Sequence, residues 1–348
     1  MAVYTTIDNP ELYFQTKKFS GTGSELALTL DGDEDMQPDL AWVKKTSATG
    51  IHYLCDSVRG ATKRLIPSST DAETTQAQYV KSFDSDGITL GTDSDINASG
   101  GTGVAWCWKA GGSASTNEDG STDTSVMNNS TAKFSIGTYT GTSSAATMGH
   151  GLGAAPGIII IKNRSSGSRK WAVYHKNLSG DNKYLSLNEN SAELTDTATW
   201  NNTAPTSTVF SSQASGEVNQ GSENFVFYAF ADVQGFSKFG SYTGNANADG
   251  AFVYTGFRPA YVIQKVTDTT SNWNVYDNKR NTSNPHDKLL YGDTSSAEVT
   301  HTSMDFLSNG FKLRSTDGAL NGSGNNYIYA AFAEAPFVNS NGVPCNAR

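Results

Sequence analysis

One pattern occurs three times along this chain of 348 residues, and the recurrence limits the folds that the chain can adopt. Each copy begins with an aromatic residue before a turn rich in glycine and threonine. It continues with a proline and an apolar run that ends in lysine, and it closes on an aromatic strand. The apolar runs lie at residues 38–44, 156–162 and 259–265. The prolines are about a hundred residues apart, which is a domain-sized spacing and longer than the period of a solenoid.

The segments between these marks have the character of β-strands. Short runs of β-branched and aromatic residues alternate with turns of Gly, Asn, Asp and Ser. Asp86-Gly87 and Asn309-Gly310 lie between apolar residues, and such dipeptides supply the positive φ angles of a tight hairpin turn. No part of the sequence keeps a 3.6-residue apolar period over a long stretch. The sequence therefore predicts an all-β protein of three tandem antiparallel β-sandwich modules, jelly-roll-like and with short connections.

The modules have predicted boundaries. We expect an N-terminal docking segment at 1–18, modules at 19–110, 133–234 and 235–348, and a flexible linker at 111–132. The linker is rich in Gly, Ser, Thr and Asn and has almost no apolar side chain, which is typical of an extended connection. The docking segment is too apolar for a solvated tail. Its side chains are expected to pack on a partner, and they are Tyr4, Ile7, Tyr13 and Phe14.

Charge and cysteine usage exclude several classes of function. The net charge is −9, so bulk attraction does not bring the chain to nucleic-acid phosphates or to anionic lipid. No apolar run approaches the roughly 20 residues of a membrane span. The first residues lack the basic start and apolar stretch of a secretory signal. The three cysteines are widely spaced and form neither a disulfide framework nor a metal-ligand pattern. We therefore expect synthesis in a reducing cytoplasm and no membrane insertion.

The sequence contains no local catalytic motif. The acidic run at 31–35 resembles the start of a calcium loop, but Met36 and Trp42 occupy the positions where an EF-hand needs glycine and a carboxylate. A looser calcium site near Asp31 and Asp35 stays open. The glycines around His150 precede a strand and are not followed by a helix, so they do not form a nucleotide fingerprint. Paired carboxylates that meet only in space cannot be identified from sequence. We expect no enzymatic activity, no cofactor and no metal.

Several tryptophans fall on predicted strands, where the core is their expected place. Should Trp171 and Trp273 face solvent instead, they could stack on sugar rings, as aromatic side chains of carbohydrate-binding surfaces do.

Four motifs resemble a family of tailed-bacteriophage virion proteins. This family is common among phages of marine bacteria and is often labelled tail fibre or domain of unknown function. The resemblance covers nearly the whole chain. It rests on T-T-I-D-N-P-x-x-Y-F-Q-T at 5–16, H-G-L-G-A-x-P with the following strand at 150–164, G-F-S-K-F-G-S-Y-T-G-N at 235–245 and D-F-L-S-N-G-F-K-L at 305–313.

The resemblance implies a non-enzymatic structural protein of the virion, synthesised in the host cytoplasm. A tail fibre or tail-tip component for host-surface recognition is the first interpretation. A capsid head fibre or decoration protein is one alternative, and a polysaccharide-binding or depolymerising tailspike is another. The expected partners are other tail or capsid proteins, together with host cell-surface polysaccharide or an outer-membrane receptor. Exposed sandwich edges favour a homo-oligomer, and trimers are frequent among fibres.

Overall fold

The computed structural model describes residues 4–345, and it confirms the all-β prediction. Within this range the helices are short: a 3-10 helix (Pro10–Leu12), α1 (Ser94–Asn97) and α2 (Gly318–Asn321). The named strands pair antiparallel throughout and form sheets within three successive parts of the chain. We call these parts the first segment (residues 14–108), the second segment (residues 115–230) and the third segment (residues 237–336).

The first segment contains nine strands. They form a four-stranded sheet in the order β1-β9-β3-β4, a three-stranded sheet in the order β2-β8-β7, and the small pair β5-β6. The strands are β1 (Phe14–Ser20), β2 (Leu26–Thr29), β3 (Leu40–Lys45), β4 (His52–Asp56), β5 (Lys63–Arg64), β6 (Thr74–Thr75), β7 (Val80–Asp84), β8 (Gly87–Leu90) and β9 (Thr102–Trp108).

The second segment has an eight-stranded sheet in the order β10-β11-β12-β19-β14-β15-β16-β17 and the pair β13-β18. Its strands are β10 (Ser115–Asn117), β11 (Thr124–Asn129), β12 (Phe134–Thr140), β13 (Ala146–Gly149), β14 (Ile158–Asn163), β15 (Trp171–His175), β16 (Lys183–Ser186), β17 (Leu194–Thr195), β18 (Val209–Ser212) and β19 (Asn224–Phe230).

The third segment forms one eight-stranded sheet in the order β20-β27-β22-β23-β24-β25-β26-β21. Its strands are β20 (Ser237–Thr243), β21 (Phe252–Tyr254), β22 (Phe257–Val266), β23 (Asn274–Asp277), β24 (His286–Tyr291), β25 (Val299–Leu307), β26 (Gly310–Leu313) and β27 (Asn326–Pro336).

The predicted hairpins are present, with their turns one residue earlier than the dipeptides indicate. Asp84 pairs with Gly87, and Leu307 pairs with Gly310. The glycine of each dipeptide therefore begins the second strand, and the two residues before it make the turn. Gly87 has φ +118, a conformation that L side chains rarely adopt.

The closing strand of each segment buries both of its faces. In β9, Ala105 and Cys107 point into an apolar core inside the first segment, while Trp106 and Trp108 point the other way. The same alternation occurs in β19 and β27. Successive side chains of a strand point to opposite faces, so a strand between two cores must be apolar at every position. This explains the continuous apolar runs in the sequence.

The outward faces of the three sheets meet in one shared core, which we call the central core. Its middle holds Trp108, Phe230 and Phe332, one ring from each closing strand. Their centroids are 6.3 Å apart for Trp108 and Phe230, 5.6 Å for Trp108 and Phe332, and 5.4 Å for Phe230 and Phe332. The three segments therefore surround a common axis and are not strung out in a line.

The stretch predicted to be a flexible linker differs from that expectation. Residues 111–132 contain β10 and β11, and β11 pairs with β12 over five residue pairs from Ser125–Thr138 to Asn129–Phe134. Val126 and Met127 on β11 are buried in two different cores. Composition alone predicted a solvated connection because threonine and asparagine dominate it. The backbone of a strand needs few apolar side chains, however, when neighbouring strands supply the hydrogen bonds.

Candidate functional site

The register of strand pairing shows which residues of the three segments are equivalent. Leu40 pairs with both Asp56 and Trp108, Ile158 with both His175 and Phe230, and Tyr261 with both Asp277 and Phe332. From these pairs, one equivalent set is His52 on β4, Trp171 on β15 and Trp273 just before β23. Another set is Trp106, Tyr228 and Ala330 on the closing strands.

Equivalent side chains join each segment to a neighbour. Trp171 Nε1 donates to Ile66 O of the first segment at 3.0 Å, and Trp273 Nε1 donates to Ser186 O of the second at 2.9 Å. His52 Nδ1 accepts from Trp42 Nε1, so Nε2 carries the proton and donates at 2.9 Å to Tyr291 O of the third segment. The first segment thus contacts the third, the second contacts the first, and the third contacts the second. These contacts form a closed circle.

Three equivalent lysines follow the same circle. Lys44 Nζ lies 3.4 Å from Ser295 O of the third segment, Lys162 Nζ 2.8 Å from Thr70 O of the first, and Lys265 Nζ 3.3 Å from Asn190 O of the second. Burial lowers the pKa of each ammonium group to about 8. The lysine at the end of each apolar run, which a sequence alone would place at the surface, therefore reaches a neighbouring segment.

Backbone hydrogen bonds complete the circle at a third equivalent position. Glu73 N donates to Arg164 O at 3.0 Å, Glu193 N to Thr267 O at 2.8 Å, and Glu298 N to Thr46 O at 3.0 Å. Each of these bonds joins two different segments. Side-chain and main-chain contacts therefore agree on one threefold arrangement inside a single chain.

A buried charge cluster lies at the junction of the first and second segments. Arg59 Nε donates to Asp56 Oδ2 at 2.5 Å, Nη1 to Glu73 Oε2 at 2.9 Å and Nη2 to Tyr228 OH of the second segment at 3.2 Å. Tyr228 OH in turn donates to Asp56 Oδ2 at 2.6 Å. The side chains of Arg59 and Asp56 have no exposed surface. Burial opposes the charge of Arg59, but the adjacent Asp56 outweighs it and raises the arginine pKa above its usual range.

The junction of the third and first segments repeats this cluster. Arg280 Nε donates to Asp277 Oδ2 at 2.6 Å and Nη1 to Glu298 Oε2 at 3.1 Å. Trp106 Nε1 of the first segment donates to Asp277 Oδ2 at 3.0 Å, in the place that the Tyr228 hydroxyl takes at the other junction. A buried ion pair of this kind is strongly destabilised when one partner is removed.

The junction of the second and third segments has a neutral version. His175 replaces the aspartate, Leu178 follows three residues later where the arginines stand, and Ala330 replaces the aromatic donor. His175 Nδ1 accepts from Asn177 N, so Nε2 donates to Tyr329 O at 3.2 Å. Burial lowers the pKa of His175 to about 4, which keeps the ring neutral. All three positions change together because an arginine without an aspartate would be an unpaired buried charge.

These clusters bind the segments to one another and leave no room for a substrate. Their charged groups are buried between sheets, and the cavity at the middle of the central core is apolar and only about 50 Å³. A general acid or base must reach a reacting group within hydrogen-bond distance. The junction residues therefore act by positioning the segments.

The residues predicted to dock on a partner pack within the chain itself. Ile7 and Phe14 are buried in the central core, and Tyr13 packs edge-on against Phe236. Tyr4 OH donates to Gly256 O at 2.8 Å, in the third segment. The apolar character of this stretch is thus explained by intramolecular packing. The prediction of a partner contact is wrong for the buried side chains Ile7 and Phe14, and it stays a prediction for the half-buried Tyr4 and Tyr13. Residues 1–3 of the predicted docking segment lie outside the described residues.

Trp171 and Trp273 do not face solvent. Their exposed fractions are 0% and 2%, and both indole N–H groups are used at the junctions. Stacking on sugars by these two side chains is therefore wrong, because a ring buried between two segments presents no face to a ligand.

The acidic run at 31–35 is engaged in ion pairs. Asp31 lies 3.3 Å from both Lys17 Nζ and Lys279 Nζ, and the two ammonium groups outweigh the effect of partial burial and lower the pKa of Asp31. Among residues 4–345, no group of three or more His, Cys, Asp or Glu side chains is placed to hold a metal ion.

Two open depressions bring polar groups together at the surface. One, of about 390 Å³, lies on the second segment and is lined by hydroxyl, amide and charged groups, including Thr138, Asn224, Asp123 and Arg164. The other, of about 690 Å³, lies where the N-terminal stretch meets the first and third segments. Its lining carries four carboxylates, Asp8, Glu11, Asp33 and Glu334.

Two exposed aromatic side chains were missed by sequence reasoning. Phe252 and Tyr254 on β21 are 46% and 53% exposed and flank the buried Val253. An aromatic–apolar–aromatic triplet beside a Gly/Asn turn could have indicated an edge strand with its aromatic rings outward. The same triplet fits a strand with its rings inward, so only packing could decide the face.

The fold defines an all-β protein in which three antiparallel sheets share a central core, with polar depressions on the outside. Within residues 4–345, no helix is long and apolar enough to cross a bilayer. A family model, the domain of unknown function DUF7483, matches residues 9–336, and the chain belongs to this family. No curated protein and no solved structure matches the chain.

Proposed function

We propose that this protein is a non-enzymatic structural component of a tailed-bacteriophage virion, a tail fibre or tail-tip protein that recognises the host surface. The observation that carries the proposal is the closed circle of buried junctions between the three segments. A protein that works outside the cell in a particle must keep its shape without cellular maintenance. Three segments locked by equivalent contacts supply such a rigid block within one chain.

The proposal includes a finer description of the fold. Each segment is a β-sandwich module of jelly-roll type, and the three modules are copies of one ancestral unit. Support comes from the sheets of the three segments, which enclose separate apolar cores, and from the equivalence of junction contacts. The motif resemblance of the sequence to phage virion proteins points to the same class.

Host recognition is assigned to the outer surface of the second and third segments. The polar depression at Thr138, Asp123, Arg164 and Asn224 offers hydroxyl, carboxylate, guanidinium and amide groups. Such groups bind the hydroxyls of polysaccharides by directional hydrogen bonds. The partners proposed are other virion proteins on one side and a host polysaccharide or outer-membrane receptor on the other.

Immunoelectron microscopy and a cryo-EM map of the particle test the proposal. Antibodies against the purified chain are expected to label the tail, with a copy number that is a small multiple of the tail symmetry. Label over the head, with copies that follow the capsid lattice, would instead support a head fibre or decoration protein. A particle map without density for this chain removes both.

A depolymerising tailspike is a second candidate because four carboxylates line the larger depression. A glycosidase needs one carboxyl group with a raised pKa as the acid. Hydrogen bonds from Ser340 instead lower the pKa of Asp8, and Glu334 lies 3.0 Å from Arg258 Nε. Incubation with host polysaccharide and an assay for new reducing ends distinguishes the two functions. Reducing ends that disappear in a Glu11→Gln variant would favour the enzyme.

A further inference from the structure

The strand β21 lies at the edge of the third-segment sheet and pairs on one side with β26. Its two outward side chains, Phe252 and Tyr254, are the large aromatic side chains most exposed in the described range. Proteins usually protect sheet edges with charges, proline or a covering loop, because an open edge can pair with another strand. This edge instead presents two aromatic rings.

The backbone of β21 is oriented for a further strand. Leu313 N donates to Ala251 O at 3.0 Å, and Thr255 N donates to Asn309 O at 3.0 Å. In an antiparallel pair the residues that bond to one neighbour alternate with those that face away. Phe252 and Tyr254 therefore direct their N–H and C=O groups to the open side.

The second segment shows what covers the equivalent edge. There Thr147, next to the core residue Met148, matches Phe252, next to the core residue Val253. Thr147 N donates to Ser121 Oγ at 2.9 Å, and Thr122 N donates to Thr147 O at 3.0 Å. An extended stretch of the same chain therefore lies along that edge. Among the described residues, the connection before the third segment is too short to supply such a cover, and the N-terminal stretch meets Tyr254 through a side chain, with Tyr4 OH 3.1 Å from Tyr254 OH.

We propose that a second copy of this chain covers the β21 edge by antiparallel pairing of β21 with β21. With the twofold axis at Val253, Phe252 of each copy lies opposite Tyr254 of the other. The arrangement makes four backbone hydrogen bonds and two Phe–Tyr cross-strand pairs. A strand of unrelated sequence could make the same backbone hydrogen bonds, but it would not place an aromatic side chain opposite both Phe252 and Tyr254. A twofold pair also closes on itself and leaves no further edge open.

The charges beside the edge permit the pairing. Lys312 Nζ and Arg314 Nη1 lie 2.7 Å and 3.0 Å from the same carboxylate oxygen of Asp249, and Arg314 Nε lies 2.5 Å from Asp305 Oδ2. Each copy therefore neutralises its own flanking charges, and no unpaired cluster of like charge faces its twin across the axis.

Sedimentation velocity of the purified full chain, from micromolar to near-millimolar concentration, tests the pairing. The wild-type chain is expected to dimerise. Phe252→Lys is expected to weaken dimerisation by about 30-fold, or about 2 kcal/mol, because the change occurs on both sides of the axis. Ala27→Lys is the matched control, since Ala27 is exposed on the equivalent edge strand β2, and it is expected to leave the dimer unchanged.

Disulfide capture tests the register. In a Cys345→Ser background, which removes the exposed native thiol, Phe252→Cys and Tyr254→Cys chains are prepared separately. Mixed together and oxidised, they are expected to form covalent dimers far more readily than either alone. A wild-type chain that stays monomeric, or a dimer that Phe252→Lys leaves intact, overturns the proposal. A monomer that binds host polysaccharide through Phe252 overturns it as well and assigns the edge to sugar.

Discussion

The charge cluster between the first and second segments gives the sharpest test of how the chain holds together. Replacing Arg59 by leucine removes the guanidinium group that bonds Asp56, Glu73 and Tyr228. Glu73 keeps Arg164, whose Nε and Nη2 donate to it at 2.8 Å and 3.0 Å. Asp56 loses the arginine that pairs with it, at a position where its side chain has no exposed surface. An uncompensated buried charge costs about 3–5 kcal/mol, and we expect the free energy of unfolding to fall by that amount.

The second segment indicates how to repair the loss, because it holds His175 and Leu178 at the equivalent positions. The double variant Asp56→His with Arg59→Leu removes both charges together and is expected to be at least about 1 kcal/mol more stable than Arg59→Leu alone. Urea unfolding followed by tryptophan fluorescence measures both, since all six tryptophans are buried. Lys18→Leu, at an exposed position of β1, serves as the control and should change stability by less than about 0.5 kcal/mol.

The reasoning fails if Arg59→Leu is as stable as the control. It fails equally if the double variant loses as much free energy of unfolding as the Asp56→His and Arg59→Leu single variants lose together, because the aspartate and arginine would then not act as a pair.

Three further outcomes are expected. Acid should destabilise the fold between about pH 6.5 and 4, because the histidines of the unfolded state take up protons before the buried ones do. The free energy of unfolding then falls by about 1.4 kcal/mol per pH unit for each ring whose folded pKa burial lowers. Urea midpoints across this range measure the effect. Burial raises the pKa of Asp293 to about 6, so its protonation stabilises the fold as pH falls, and this stabilisation is lost as pH rises. Asp293 therefore offsets the effect of one histidine ring, and a urea midpoint that stays level would contradict this balance. The rings are His52, His175 and His286, with pKa values of about 3, 4 and 4, and His150, whose pKa burial also lowers. Phe14→Ala should lower the free energy of unfolding by about 3–5 kcal/mol, since its ring is 1% exposed; a loss below 1 kcal/mol by the same urea assay would show that the N-terminal stretch is not part of the core. Calcium should leave Tm unchanged in differential scanning calorimetry, because Asp31 is already paired with Lys17 and Lys279, whereas a rise with calcium concentration would reveal a site.

Sequence reasoning succeeded where a local rule applied. The hairpins around Asp86-Gly87 and Asn309-Gly310 and the all-β class follow from residue type and spacing, although each turn lies one residue earlier than its dipeptide. It failed where partners distant in sequence decide. Residues 111–132 look like a linker until β12 supplies their hydrogen bonds, and Trp171 could equally face sugar or protein until Ile66 supplies its acceptor.

The amino-acid sequence by itself determined the threefold recurrence, the antiparallel strands and the apolar residues on both faces of the closing strands. Local geometry is enough for these features, because strand period and turn chemistry depend on near neighbours. Only the tertiary structure decided that the three segments close into a circle and that buried lysines and arginines join them. Those contacts connect residues up to 251 positions apart, as between Lys44 and Ser295, and no local pattern specifies which buried carbonyl a lysine will reach.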